Sequence, residues 1–231
     1  MESHLNSIIE KLRRLNRQGL YPMMLASLLA VGLSVMRVYL SHSWIYLFLI
    51  WNLFLAWIPY FSSLWAARWY HQSLGNRWRL VIPIGLFVAF FPNAPYLITD
   101  LQHLGPRPLI PLWYDVGMLA IFAWTGLFLA MFSLRILHMV IKNWFGPWIG
   151  WLFVVNIMGL SGVGVYLGRF LRWNSWDLIL YPREVLADTV RCFSHPLSSP
   201  GPFGVVLLFG AFLLVSYLML LAFPSSEELR G

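Results

Sequence analysis

Charge is scarce in this chain. Of its 231 residues only 11% are Asp, Glu, Lys or Arg, where soluble domains carry about 25%. So few charges cannot cover a surface that faces water on every side, which excludes an ordinary soluble domain. Cysteine is nearly absent as well. Cys192 stands alone, so there is no internal disulfide and no cysteine-cluster metal site, and the thiol reads as a bystander. No charged residue falls in the middle of a long apolar run, and the two halves show no inverted repeat, which counts against an ion pathway or an alternating-access transporter. No linker or repeat marks off a second domain. A cleavable leader is not evident, because the first apolar run is too long for a signal core and lacks a small-residue cleavage site.

What is present is hydrocarbon and aromatic surface. The chain is 59% hydrophobic and 17% aromatic, with thirteen Trp and ten Tyr and a mean hydropathy of +0.69. Amphipathic rings concentrate at the headgroup boundary of a bilayer. Six apolar stretches, near 21–40, 44–61, 80–93, 116–134, 146–167 and 203–223, approach the roughly 20 residues that cross a membrane as a helix. The expected fold is an all-α multi-pass transmembrane bundle of about six spans. Its third span is the least regular, since only some fourteen residues precede a Pro-Asn-Ala-Pro break. With a cytoplasmic amino terminus, ten of the sixteen Lys and Arg fall inside and six outside, as the positive-inside rule requires. Residues 224–231 then form a short cytoplasmic tail.

Residues 1–20 read as a separate element. Leu5, Ile8, Ile9, Leu12 and Leu15 recur at helical spacing beside Lys11, Arg13, Arg14 and Arg17. That pattern suits a helix lying in the inner interface against anionic headgroups. A short tether to the first span disfavours a nucleic-acid role.

Two polar runs interrupt the apolar chain. In Phe91-Pro-Asn-Ala-Pro-Tyr-Leu-Ile-Thr-Asp-Leu-Gln-His-Leu104, Pro92 and Pro95 should push Phe91 and Ala94 towards extended backbone. A break of that kind at membrane depth has to line a cavity to satisfy its amides. Asn93 can donate and accept there, and Thr99 or Asp100 can cap a short helix starting at Leu101. Asp100 and His103, three apart, would lie side by side on a helix. They suit an acid–base pair or two metal ligands, although a zinc site wants three or four. The plainer alternative has Asp100 as a cap and His103 in the wet interface.

The second run is Gly164-Val-Tyr-Leu-Gly-Arg-Phe-Leu-Arg-Trp-Asn-Ser-Trp-Asp177. Its Gly164-x-x-x-Gly168 spacing would let another helix come close. Arg169 and Arg172 follow among Phe170, Trp173 and Trp176, with Asp177 beyond. Arginine suits bidentate contact with carboxylate or phosphate and also stacks on rings. Two uses are open. Either arginine pairs internally, with Asp100 or Asp177, and clamps the two runs together. Or the arginines hold an anionic ligand such as a lipid headgroup or an undecaprenyl-type phosphate. Just upstream, Gly159-Leu-Ser-Gly162 matches the nucleophile motif of rhomboid proteases. A serine nucleophile needs a base in reach, the last span carries no histidine, His195 lies in a loop and His138 on the opposite side, so Ser161 reads as a packing residue.

Taken together the two runs resemble the signatures of an uncharacterised family of bacterial integral membrane proteins, domain of unknown function 1361, from about the second span to the last. The matching positions include Asn93, Tyr96, Thr99, Asp100 and His103 in the first run and Tyr166, Arg169, Arg172, Asn174, Ser175 and Asp177 in the second. The resemblance implies a bacterial plasma-membrane protein and brings no activity, substrate or cofactor. Three readings follow: an assembly protein docking an envelope partner, a membrane-embedded hydrolase or transferase, and a transporter. The expected site lies at the outer face. Asp100 and His103 are its candidate catalytic groups. Asn93, Tyr96, Thr99, Arg169, Arg172, Asn174 and Asp177 are its candidate contacts to an anionic lipid or lipid-linked group.

Overall fold

The computed structural model describes residues 19–72, 77–107, 109–194 and 200–222. Nearly all of the expected interfacial helix at 1–20, and the tail at 224–231, lie outside them. The described residues form α1 (Leu20–Ser41), α2 (Phe48–Gln72), α3 (Val81–Phe90), α4 (Asn93–Thr99), α5 (Leu112–Phe145), α6 (Pro147–Phe170), α7 (Asp177–Leu180), α8 (Pro182–Phe193) and α9 (Pro200–Ala222). Short 3-10 turns lead into α3 at Arg77–Leu80 and follow α4 at Asp100–His103. There is no strand among the described residues, only an isolated bridge between Arg107 and Ile110. Six segments are long and apolar enough to cross a membrane: Leu20–Ser41, Phe48–Tyr70, Trp78–His103, Leu112–Phe145, Pro147–Phe170 and Gly201–Ala222. This is the expected all-α bundle of six spans.

At 34 residues α5 is the longest helix, about 51 Å at 1.5 Å per residue, against a hydrocarbon core of about 30 Å. It buries side chains along nearly its whole length, from Asp115 to Ile141, and packs against α1, α2, α4 and α6. The turn into α6 is a single residue, Gly146, at φ 94 and ψ 165, a conformation closed to side chains with a Cβ. Pro147 then opens α6, where its missing N–H leaves no bond unmade.

The third span corrects one expectation. Phe91 (φ −54, ψ −39) and Pro92 (φ −59, ψ −23) are helical, so the prolines do not force extended backbone. Pro95 falls in the first turn of α4, where a missing N–H costs nothing. The chain bends without unwinding. Ala94 N bonds one residue short, to Phe91 O at 3.1 Å, and the Phe90 carbonyl left over accepts from Asn93 Nδ2 at 3.0 Å. Trp78–His103 is therefore one bent segment, long and apolar enough to cross a membrane.

Glycines let the bent segment sit deep. A Cβ on Gly126 of α5 would collide with the Ala94 carbonyl oxygen. On α6, a Cβ on Gly164 would stand 2.6 Å from Pro92 and one on Gly168 3.1 Å from Tyr96. Gly164-x-x-x-Gly168 thus receives Pro92 and Tyr96, which are also one turn apart. Gly162 similarly receives the Val206 backbone of α9. The packing makes a direct forecast. Gly126→Ala should lower stability by about 1–3 kcal/mol, the usual cost of overpacking. Gly117→Ala on the same helix, where an added Cβ meets nothing within 4 Å, should not. Thermal unfolding in lipid nanodiscs checks it, and equal midpoints for the two variants would refute this packing.

Candidate functional site

Both polar runs arrive at the same end of the bundle, where α2 begins, the third span ends and α6 terminates. Between them lies a cavity of about 390 Å³, walled by Asn52, Asn93, Tyr96, Asp100, His103, Arg169, Asn174 and Ser175 together with Phe48, Trp51 and Trp173. Amide, ionic and aromatic surface of this kind is what orients a bound small molecule.

Arg169 is the hub. Its Nη2 donates to Asp100 Oδ1 at 2.8 Å, its Nε to Thr99 Oγ1 at 3.2 Å and its Nη1 to His103 Nε2 at 3.0 Å. With the Gln102 amide oxygen turned inward, it too accepts from Nε at 2.8 Å and Nη1 at 3.0 Å. The guanidinium carbon stands 4.8 Å from the Tyr96 ring centroid. Asp100 is completely buried, and its second oxygen accepts from Asn52 Nδ2 at 3.0 Å. Burying two ions costs several kcal/mol apiece unless hydrogen bonds fill their remaining valences, and here they are filled. Internal pairing is therefore the use this geometry gives Arg169.

Asp100 and His103 lie three apart on a 3-10 turn, but Arg169 bonds to each of them. Arginine can only donate, so in this contact His103 Nε2 is the acceptor. Thr99 is no cap: it donates to Tyr96 O at 2.6 Å and accepts from Arg169. Asp100 caps nothing either; Thr99 and Asp100 are both helical in backbone. Asn93 joins the runs a second time, donating to Ser175 Oγ at 2.7 Å.

Three candidates stand apart from the wall of this cavity: Thr99, which reaches it only through Arg169, and Asp177 and Arg172. Asp177 accepts from Asn174 N at 2.7 Å and from Asn174 Nδ2 at 3.2 Å, which fixes the loop. Arg172 is exposed, and α6 ends on it in the left-handed region at φ 62, where glycine is the usual residue. That conformation folds Trp173 N back onto Leu167 O at 3.1 Å. Among the described residues Arg172 makes no ion pair.

Other partners were not foreseen. Asn52 was hidden inside an apolar run, where a lone amide is the only signal. Helix α8 brings Val185 to the cavity wall, and Trp173 Nε1 donates to Asp188 Oδ2 at 3.1 Å. A second pair adjoins the site: Arg37 Nε to Asp115 Oδ1 at 2.6 Å and Nη2 to Oδ2 at 3.1 Å. Arg37 is only 2% exposed: Asp115 takes its Nε and Nη2, while Nη1 is buried without a hydrogen-bond partner among the described residues. Its guanidinium lies 4.4 Å from the Tyr46 ring centroid, and Tyr46 OH donates to the His103 carbonyl at 2.9 Å, linking the two pairs.

Ser161 is fully buried and has no hydrogen-bond partner among the described residues, while His138 Nδ1 is 2.7 Å from Tyr217 OH. No group of three or more His, Cys, Asp or Glu side chains comes together among the described residues.

The energetics of the hub can be read from a double-mutant cycle. Asp100→Asn and Arg169→Met should each cost about 3–5 kcal/mol, since each strands a buried polar partner. The double variant should cost clearly less than their sum. Strict additivity in thermal or denaturant unfolding would contradict the pairing.

Comparison with curated proteins and with solved structures gives no match. A family match exists over residues 51–216, from within α2 to within α9 and including both polar runs, and its description is "Protein of unknown function (DUF1361)". The span of that match makes the chain a member of the DUF1361 family.

Proposed function

We propose that the protein holds the anionic head of a membrane amphiphile in this cavity, at the outer face of a bacterial plasma membrane, with both termini cytoplasmic. The observation that carries the reading is the state of Arg169 Nη1. Asp100 takes Nη2, whereas Nη1 is turned to a ring nitrogen, His103 Nε2, and to the Gln102 amide. A phosphate or carboxylate oxygen is a stronger acceptor for a guanidinium than either. One donor position is therefore exchangeable without breaking the buried pair. Arg172, exposed beside cavity-lining Trp173 and Asn174, adds a cation that makes no ion pair among the described residues. Asn93, Tyr96 and Asn174 supply neutral polar contacts, while Thr99 and Asp177 act by positioning Arg169 and Asn174.

Acid–base chemistry on Asp100 and His103 has less support, because both Asp100 oxygens and His103 Nε2 already accept from donors. Transport has less support as well: the middle of the bundle is closed by Phe87, Phe91, Phe122 and Leu129, each no more than 1% exposed.

Arg172→Gly tests the reading cleanly. Glycine relieves a left-handed cost of about 1–2 kcal/mol and loses about 0.5–1 kcal/mol to chain entropy, so the unfolding midpoint should hold. Phosphatidylglycerol retained in phosphatidylcholine nanodiscs, counted by mass spectrometry, should fall about two- to fivefold, the worth of an exposed charge contact. Unchanged retention of phosphatidylglycerol would count against the proposal.

A further inference from the structure

Arg169 also forms part of a second recess. On its far side from the polar cavity, a cleft of about 270 Å³ is bounded by α4, α6 and α9. Thr99, Gln102 and Arg169 form its polar part, and Ile98, Val165, Phe170, Val205 and Phe209 the rest. Val205 and Phe209 are one turn apart on α9 and so share a face. The three helices that bound the cleft belong to membrane-length segments. α9 shows Leu207 and Leu208 to the surroundings at 70% and 67% exposure, surface suited only to hydrocarbon. What reaches an apolar recess at that depth is an acyl or isoprenyl chain, since lipid is the solvent there.

We infer that the two recesses hold one molecule, an anionic lipid with its head in the polar cavity and a hydrocarbon chain in the α4–α6–α9 cleft, on either side of Arg169. The inference rests on the headgroup reading above and adds the ligand's second half. Its chemistry is complementary along its length: polar wall to polar head, apolar wall to chain, and one guanidinium common to both. It also assigns Gln102 and Arg169 the place where head becomes chain. A chain leaving bulk lipid for the cleft gains packing rather than freedom from water, because lipid tails are as apolar as the cleft. The cleft therefore selects and orients the lipid, and its contribution to affinity is severalfold.

The test uses phosphatidylglycerol carrying a diazirine midway along one acyl chain, in phosphatidylcholine vesicles with the full-length protein. Photolabel should concentrate on peptides spanning 165–170 and 205–209, severalfold above the peptide of α1 that bears Leu25 and Leu28, which are 70% and 68% exposed. Unlabelled phosphatidylglycerol should compete it away. Val205→Trp, which fills the cleft, should abolish the enrichment and cut phosphatidylglycerol retention severalfold. Binding of glycerol phosphate, the head without a chain, should survive that substitution. Label spread evenly over α1 and the cleft overturns the inference, as does retention indifferent to Val205→Trp, and glycerol-phosphate binding then leaves the headgroup reading standing. Should neither the lipid nor glycerol phosphate bind, the headgroup reading falls and this inference with it. If Val205→Trp does not fold, the labelling pattern of the unsubstituted protein decides.

Discussion

The buried contact between Asp100 and Arg169 sets the terms for the rest of this end of the molecule. A carboxylate with no exposure and a guanidinium that is 11% exposed can stay ionised at membrane depth only if each fills the other's valences and the neighbours fill what remains. Asn52, Thr99, His103, Gln102 and the Tyr96 ring do so. Those neighbours come from α2, α4 and the turn after α4, and Arg169 itself from α6, so satisfying one ion pair fixes four segments relative to one another. The cavity is the space left between them.

Holding the pair together depends in turn on backbone that can come close. Gly126 on one side and Gly164 and Gly168 on the other let α4 lie against α5 and α6 without intervening side chains. Asn93 repairs the hydrogen-bond ladder at the bend and reaches across to Ser175. Arg37 and Asp115 form an independent forked pair at the same end, tied to the His103 carbonyl through Tyr46. Two buried arginine–carboxylate pairs lie at one end of the bundle, which concentrates both rigidity and polarity there.

Much of this was legible in the residues. Long apolar runs and scarce charge give the spans, because hydrophobic length is a one-dimensional property. The alternation of inside and outside then brings both polar runs to one end, and Gly164-x-x-x-Gly168 announces a close approach. The partner of that approach was not legible: Pro92 and Tyr96 meet the glycines only through the bend of the third span. The bend itself was misread because proline rules are local, and Pro95 falls within the permissive first turn of α4. Asn52, Gln102 and the inward turn of Arg37 escaped for a different reason. Each depends on a contact between distant segments, and a single side chain in an apolar or interfacial run carries no sign of its partner. Helix α8 was missed because it is short and charged on one face, a pattern also found in loops.

The account's central claim is that the Asp100–Arg169 pair holds the two polar runs against each other. It is tested most directly in native membranes, with cysteines at positions 93 and 175 and Cys192 replaced by serine. Asn93 and Ser175 touch at 2.7 Å, so a short thiol-to-thiol cross-linker should join the two cysteines efficiently, and adding Arg169→Met should sharply reduce the yield. Absence of the cross-link in the otherwise intact protein, or a yield untouched by loss of Arg169, would contradict the account.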